Sequence, residues 1–172
     1  MTTLFTPAEV RNAIELLASR SLIRLVTEID DNGAIPPRGL AGTLPDLDSH
    51  QLRRASETAR ACGLVRVAPG AGLELTEAGS ELADLYDAAA RWARRHAYPA
   101  PVCAFSTRIR HVLDLLVLSI PIEGTDGLSR RSAARLPSDE AEADLARPRA
   151  LLIQWLAGNP RITGVSEPEP AA

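Results

Sequence analysis

The 172-residue chain contains no lysine: all 19 basic residues are arginine, set against 22 aspartates and glutamates for a net charge of -3. A balance of that sign does not draw a protein onto nucleic acid, so any polyanion contact has to come from local charge. Lysine is missing from plainly structural faces too, which points to a coding bias rather than to a functional choice. Aromatic residues make up only 3% of the chain. With alanine the commonest apolar residue, the composition favours helices packed closely through small side chains. The two cysteines, Cys62 and Cys103, are far apart in sequence and have no neighbouring ligands. They exclude a disulfide framework and a zinc knuckle, leaving structural thiols or, as the alternative, a redox or ligand-sensing thiol.

Long apolar runs are also lacking. The best, Val112 to Ile120, is broken by Asp114 and Ser119 and falls far short of the roughly 20 residues of a membrane helix. The first residues do not join a basic stretch to an apolar one, so no secretory signal is read and a cytoplasmic protein without membrane contact is expected. There is no glycine-rich phosphate loop, no His-Glu-x-x-His pair and no Gly-x-Ser-x-Gly elbow. His50, His96 and His111 are scattered, and the acidic group Asp139 to Asp144 lacks the alternating ligands and central glycine of a calcium loop. The chain is therefore read as a non-enzyme without metal or cofactor.

What is present reads mainly as helix. Thr6-Pro7 starts a first helix carrying Val10, Ala13, Ile14 and Leu17, and a second carries Leu22, Leu25, Val26 and Ile29 before stopping at Asp31-Asn32-Gly33. Arg38 to Leu44 predicts a short third helix. Asp48 can cap a fourth over Ser49 to Cys62, whose Leu52, Ala55 and Ala59 share one face, with Gly63 as a left-handed stop. Leu64-Val65-Arg66-Val67 and Leu73-Glu74-Leu75 flank a Pro/Gly turn and predict a hairpin. Thr76 then caps a long helix with Leu82, Leu85, Ala89 and Trp92 on one stripe, ending near His96.

Tyr98 to Pro101 is a stiff spacer and the predicted internal boundary, giving units 1–97 and 98–165 and a disordered tail over 166–172. Beyond the spacer, the pattern predicts a helix over Ser106 to Ile120, a loop over Glu123 to Gly127 and a basic helical turn over Leu128 to Arg135. One or two helices should follow over Asp139 to Trp155, with a bend at Pro148. Two readings of the second unit stay open. Arg110 to Leu116 echoes Arg11 to Leu17, Ala134 to Pro137 echoes Gly42 to Pro45, and Gly158 to Ile162 could stand where Gly63 to Val67 stands, as in a degenerate second copy of the first unit. Otherwise it is a helical extension for dimerisation or ligand binding.

The order helix, helix, short helix, outward-polar helix, hairpin, long helix is that of a winged helix-turn-helix. Leu44-Pro45-Asp46-Leu47-Asp48, Gly63-Leu64-Val65-Arg66, Leu75-Thr76-Glu77-Ala78-Gly79 and Trp92 make residues 8–97 resemble the HxlR-type bacterial regulators, relatives of MarR. The resemblance implies a homodimeric, double-stranded-DNA-binding transcriptional regulator that reads a pseudo-palindromic operator and responds in some cases to a small-molecule effector. On physical grounds Ser49, His50, Gln51, Arg53 and Arg54 would face base edges and Arg60 and Arg66 phosphates. Between Asp48 and Arg66, four arginines face only Asp48 and Glu57, a local balance of +2. Arg91, Arg94, Arg95 and His96 form a second basic cluster, suited to a helix C-terminus, to phosphate or to a dimer ion pair. A ligand pocket or dimer interface is placed around Leu85, Trp92, Leu113 and Leu116. The alternative function is a winged-helix protein-interaction module without DNA binding, favoured by the uncharged loop Ala68 to Gly72.

Overall fold

The computed structural model describes residues 5–36, 38–120 and 138–163. The sequence readings over Glu123 to Gly127, Leu128 to Arg135, Ala134 to Pro137 and the 166–172 tail fall outside these residues.

The chain is mainly helical, with one small antiparallel hairpin in a winged-helix-like layout. Helix α1 (Pro7–Leu17) begins in a capping box: the Thr6 hydroxyl accepts from the Glu9 amide, and the Glu9 carboxylate accepts from the Thr6 amide. Helix α2 (Arg20–Asn32) buries Leu22, Ile23, Leu25, Val26 and Ile29 and stops at Gly33, as Asp31-Asn32-Gly33 predicts. Helix α3 (Leu40–Thr43) is shorter than the predicted Arg38 to Leu44. Helix α4 (Ser49–Ala61) ends on Gly63 at φ +70°, where the Leu64 amide reaches back to the Ala59 carbonyl at 2.8 Å.

Strands β1 (Val65–Ala68) and β2 (Gly72–Leu75) pair with Arg66 opposite Glu74 and Val67 opposite Leu73. The sheet gains one residue that the sequence pattern did not reveal. Ile35, just after α2, exchanges both backbone hydrogen bonds with Leu73, at 3.0 and 2.8 Å. The Pro36 that follows cannot extend the ladder by donating. This bridge ties the hairpin to the α2–α3 connection.

Helix α5 (Glu77–Arg95) is the axis of the fold. It packs against α2, against α6 (Phe105–Ser119) and against α8 (Ala146–Gly158). Ala83, Ala89, Ala90 and Ala93 are buried on it, so neighbouring helices approach without large side chains between them. Three aromatic donors secure the packing. Tyr86 gives its hydroxyl to the Leu17 carbonyl (2.7 Å), Trp92 its indole N–H to Ala141 (2.9 Å) and Trp155 its own to Ala78 (2.9 Å). Burial pushes the Tyr86 hydroxyl far above its ordinary pKa, so it remains a donor at all working pH.

The boundary at Tyr98 to Pro101 does not divide two cores. Residues from α1, α2, α5, α6 and α8 belong to one continuous apolar cluster, and α9 (Pro160–Thr163) lies on α1. The burial of α5 against α2, α6 and α8 explains this: residues 1–97 alone would leave Trp92 and the α6-facing side uncovered. One part of the second-copy reading is also not met. Gly158 to Ile162, the expected counterpart of a strand, is the end of α8 and the start of α9, with Pro160 at a position where its missing amide is harmless. Asp139 to Trp155 does form two helices, α7 (Asp139–Asp144) and α8, but the break is at Leu145. Pro148 sits in the first turn of α8, where amides have no intrahelical partner to lose.

Gly72 has φ +104°, and a Cβ there would lie 2.2 Å from the Ile35 carbonyl oxygen. Gly72→Ala should therefore lower stability by about 1–3 kcal/mol in urea unfolding. Gly70→Ala, at positive φ but in open space, should cost less, about 1 kcal/mol.

Candidate nucleic-acid interface

Helix α4 is fixed at its start by a reciprocal cap. Asp48 Oδ1 accepts from the Gln51 amide at 2.8 Å, and Gln51 Oε1 accepts from the Asp48 amide at 3.0 Å. Gln51 is thus half-buried and engaged in the cap, which withdraws it from the set of base-reading candidates. Leu52, Ala55 and Ala59 are buried on the α2 side, and Ser49, His50, Arg53, Arg54 and Arg60 are exposed. Arg53 reaches Glu57 at only 4.0 Å, and both side chains are about 70% exposed, a pairing worth little in water. Arg54 and Arg60 have no acidic partner among the described residues. The exposed side of α4 is therefore a short cationic strip on a helix capped by two reciprocal hydrogen bonds.

The turn leading into α4 is held by an ion pair between residues 22 positions apart, which turn propensity does not reveal. Asp46 accepts two hydrogen bonds from Arg24, Nε to Oδ2 and Nη2 to Oδ1, both at 3.1 Å, and a third from Arg20 at 3.3 Å. A bidentate guanidinium–carboxylate pair fixes orientation as well as distance. The Arg24 hydrogen bond holds the Asp46 carboxyl below the usual carboxylate range and raises Arg24 in turn. Arg20 and Arg24 lie one helical turn apart on α2, which is the only signal in the sequence that could have suggested a shared partner.

The hairpin contributes no free cation. Arg66 Nε donates to Glu74 Oε1 at 2.6 Å, directly across the strand pair, so its charge is met before any phosphate arrives. The tip Ala68 to Ala71 is uncharged, and Val67 is half exposed.

The second basic cluster is largely spoken for within the chain. Arg91 pairs with Asp87, Arg95 reaches Glu140 and Asp144 at 3.2 Å each, and His96 Nε2 lies 3.1 Å from Asp144 Oδ2. The acidic helix α7 supplies the counter-charge of the α5 C-terminus. Only Arg94 of this cluster has no carboxylate partner among the described residues.

Leu85, Leu113 and Leu116 have no exposed surface and Trp92 has 4%. They form the interior between α5 and α6 and present neither a cavity nor a surface for a second copy on that side. The space expected there is filled because the small residues of α5 let α6 close directly on it. The opening beside Trp92 lies instead toward α7 and α8.

Both cysteines are free, and burial pushes the Cys62 thiol up, away from a reactive thiolate. Among the described residues no cluster of three or more His, Cys, Asp or Glu is arranged to hold a metal ion, and no helix is long and apolar enough to cross a membrane. No known family model, curated protein or solved structure matches the chain.

Asp46→Asn should reduce stability by about 1 kcal/mol or less at pH 7, a value limited by solvent screening of a partly exposed pair. Because the folded-state carboxyl titrates below its unfolded value of about 3.9, the stabilisation is present above that value and disappears as pH falls through the folded one. Urea unfolding of parent and variant should thus converge in acid.

Proposed function

We propose that the protein is a DNA-binding transcriptional regulator in which α3, the Asp46 turn and α4 act as the helix-turn-helix and the hairpin as its wing. The observation that carries this reading is the cationic strip of α4: Arg53, Arg54 and Arg60 exposed on a helix whose start is capped and whose approach turn is clamped. A helix held this way can enter a major groove without paying to order itself, and its arginines can bind guanine edges bidentately or lie along phosphates. Ser49 and His50, exposed in the first turn, are placed where recognition helices contact bases. In this reading two copies pair so that their α4 helices meet successive major grooves, about 34 Å apart. The net charge of -3 then keeps nonspecific binding modest and leaves affinity to the α4 strip.

A second reading, a winged-helix module that binds protein instead, is favoured by one specific feature: the wing's arginine is neutralised by Glu74 and its tip carries no charge. The two readings separate on duplex DNA at low salt. The regulator should bind with an affinity that falls steeply as salt rises, and an adapter should not bind.

On a selected operator, Arg53→Ala or Arg54→Ala should cost about 1–3 kcal/mol and relax sequence preference, measured by fluorescence anisotropy. Arg60→Ala should weaken all sequences alike and reduce the salt slope by about one. Unchanged binding in all three variants overturns the assignment of α4.

With the hairpin as a wing beside the DNA backbone, Glu74→Gln should release Arg66 and strengthen binding to random duplex, with a steeper salt dependence. An identical salt titration for parent and variant would show that the wing stays clear of the DNA.

A further inference from the structure

A cavity of about 370 Å³ opens between the C-terminal half of α5 and the α7–α8 junction. Its rim carries Arg91, Arg95 and Arg147 against a single carboxylate, Asp144, and its wall is formed in part by Trp92 and Pro148. We propose that this cavity binds a small organic carboxylate, with an apolar body against Trp92 and Pro148 and its charged end on Arg147 and Arg91.

The volume lies at the lower end of the range for small-molecule sites, about 300–1,000 Å³, which limits the occupant to a compact molecule. The charges favour an anion for a specific reason. Asp144 is already paired with Arg95 and His96, Glu140 holds Arg95 from outside the cavity, and Asp87 holds Arg91 along α5. Arg147, exposed in the first turn of α8, has no carboxylate partner among the described residues. Its planar fork of donors can take a carboxylate bidentately, and the paired Arg91 retains further N–H groups for a second contact. A cation would meet three guanidinium groups and one committed carboxylate.

The apolar wall is equally constrained. The Trp92 indole N–H is consumed by the Ala141 carbonyl at 2.9 Å, so the ring offers the cavity no donor. The ring itself is held in place by His96 and Tyr98, with centroids 5.1 and 5.5 Å away. A site with a small apolar floor and a charged fork at the rim selects an anion that carries a compact apolar body over a bare anion. An occupant would tie α5 to the first turn of α8 across the α7–α8 joint. The inference concerns the protein alone and stands apart from the DNA-binding reading, since neither assay requires the other.

Isothermal titration calorimetry of the full chain with benzoate, benzamide and acetate tests it, alongside thermal unfolding in the same solutions. Benzoate should give saturable heat and raise the melting temperature, and benzamide and acetate should bind markedly more weakly. Arg147→Ala should weaken benzoate about tenfold, the loss of one charge-assisted contact. Because Arg147 is exposed, that variant should unfold at the parent's temperature without ligand; Arg91→Gln, on the opposite wall, should weaken benzoate as well. No saturable binding of benzoate overturns the proposal, as does equal binding of benzamide, or benzoate affinity unchanged in both variants.

Discussion

The fold depends on the burial of α5 against α2, α6 and α8, which leaves only the stripe through Glu81, Asp84, Arg91 and Arg95 to solvent. Its alanines, 83, 89, 90 and 93, remove the bulk that would hold neighbours apart, and its few large side chains, Leu82, Leu85, Tyr86 and Trp92, fill what remains. Its apolar surface is too wide for one partner to cover, so α2, α6 and α8 are all recruited to it. The scarcity of aromatic residues sharpens the point. Tyr86, Trp92 and Trp155 each bring a polar atom into the interior, and each spends it on a carbonyl of another element, so that the largest buried rings also fix which segments meet.

The same constraint organises the charges. With α7 and α8 drawn onto α5, the acidic stretch at Asp139 to Asp144 arrives beside Arg95 and His96, and two runs of opposite sign cancel in place. The hairpin cancels its own arginine through Glu74. Exposed positive charge without a close partner survives on α4, and α4 is aimed by a bidentate Arg24–Asp46 pair and a two-way cap.

Much of this was legible because it is local. The Asp48 cap, the Gly63 stop, the Pro/Gly hairpin turn and the Thr76 start each follow from hydrogen-bonding or φ preferences of adjacent residues, and each stands where the pattern put it. What was not legible involves partners distant in sequence. Nothing in Ile35 announces a ladder with Leu73, nothing in Asp46 names Arg24, and a basic helix end does not disclose that an acidic helix 45 residues later will neutralise it. The boundary at Tyr98 to Pro101 misled for the same reason: prolines mark a stiff turn, but only the uncovered sides of α5 show that the chain returns to the same core. Gln51 reads as a base-contacting side chain by position and is a capping group by hydrogen bond.

The central claim is that α4 is the surface through which this protein meets DNA. Two-dimensional amide NMR spectra recorded while duplex DNA is titrated into the labelled protein test it most directly. Resonances of His50, Arg53, Arg54 and Arg60 should shift first and furthest, with α7 and the C-terminal turn of α5 unaffected. Shifts centred on α7 and α5, or spectra that DNA leaves unchanged at low salt, would contradict it.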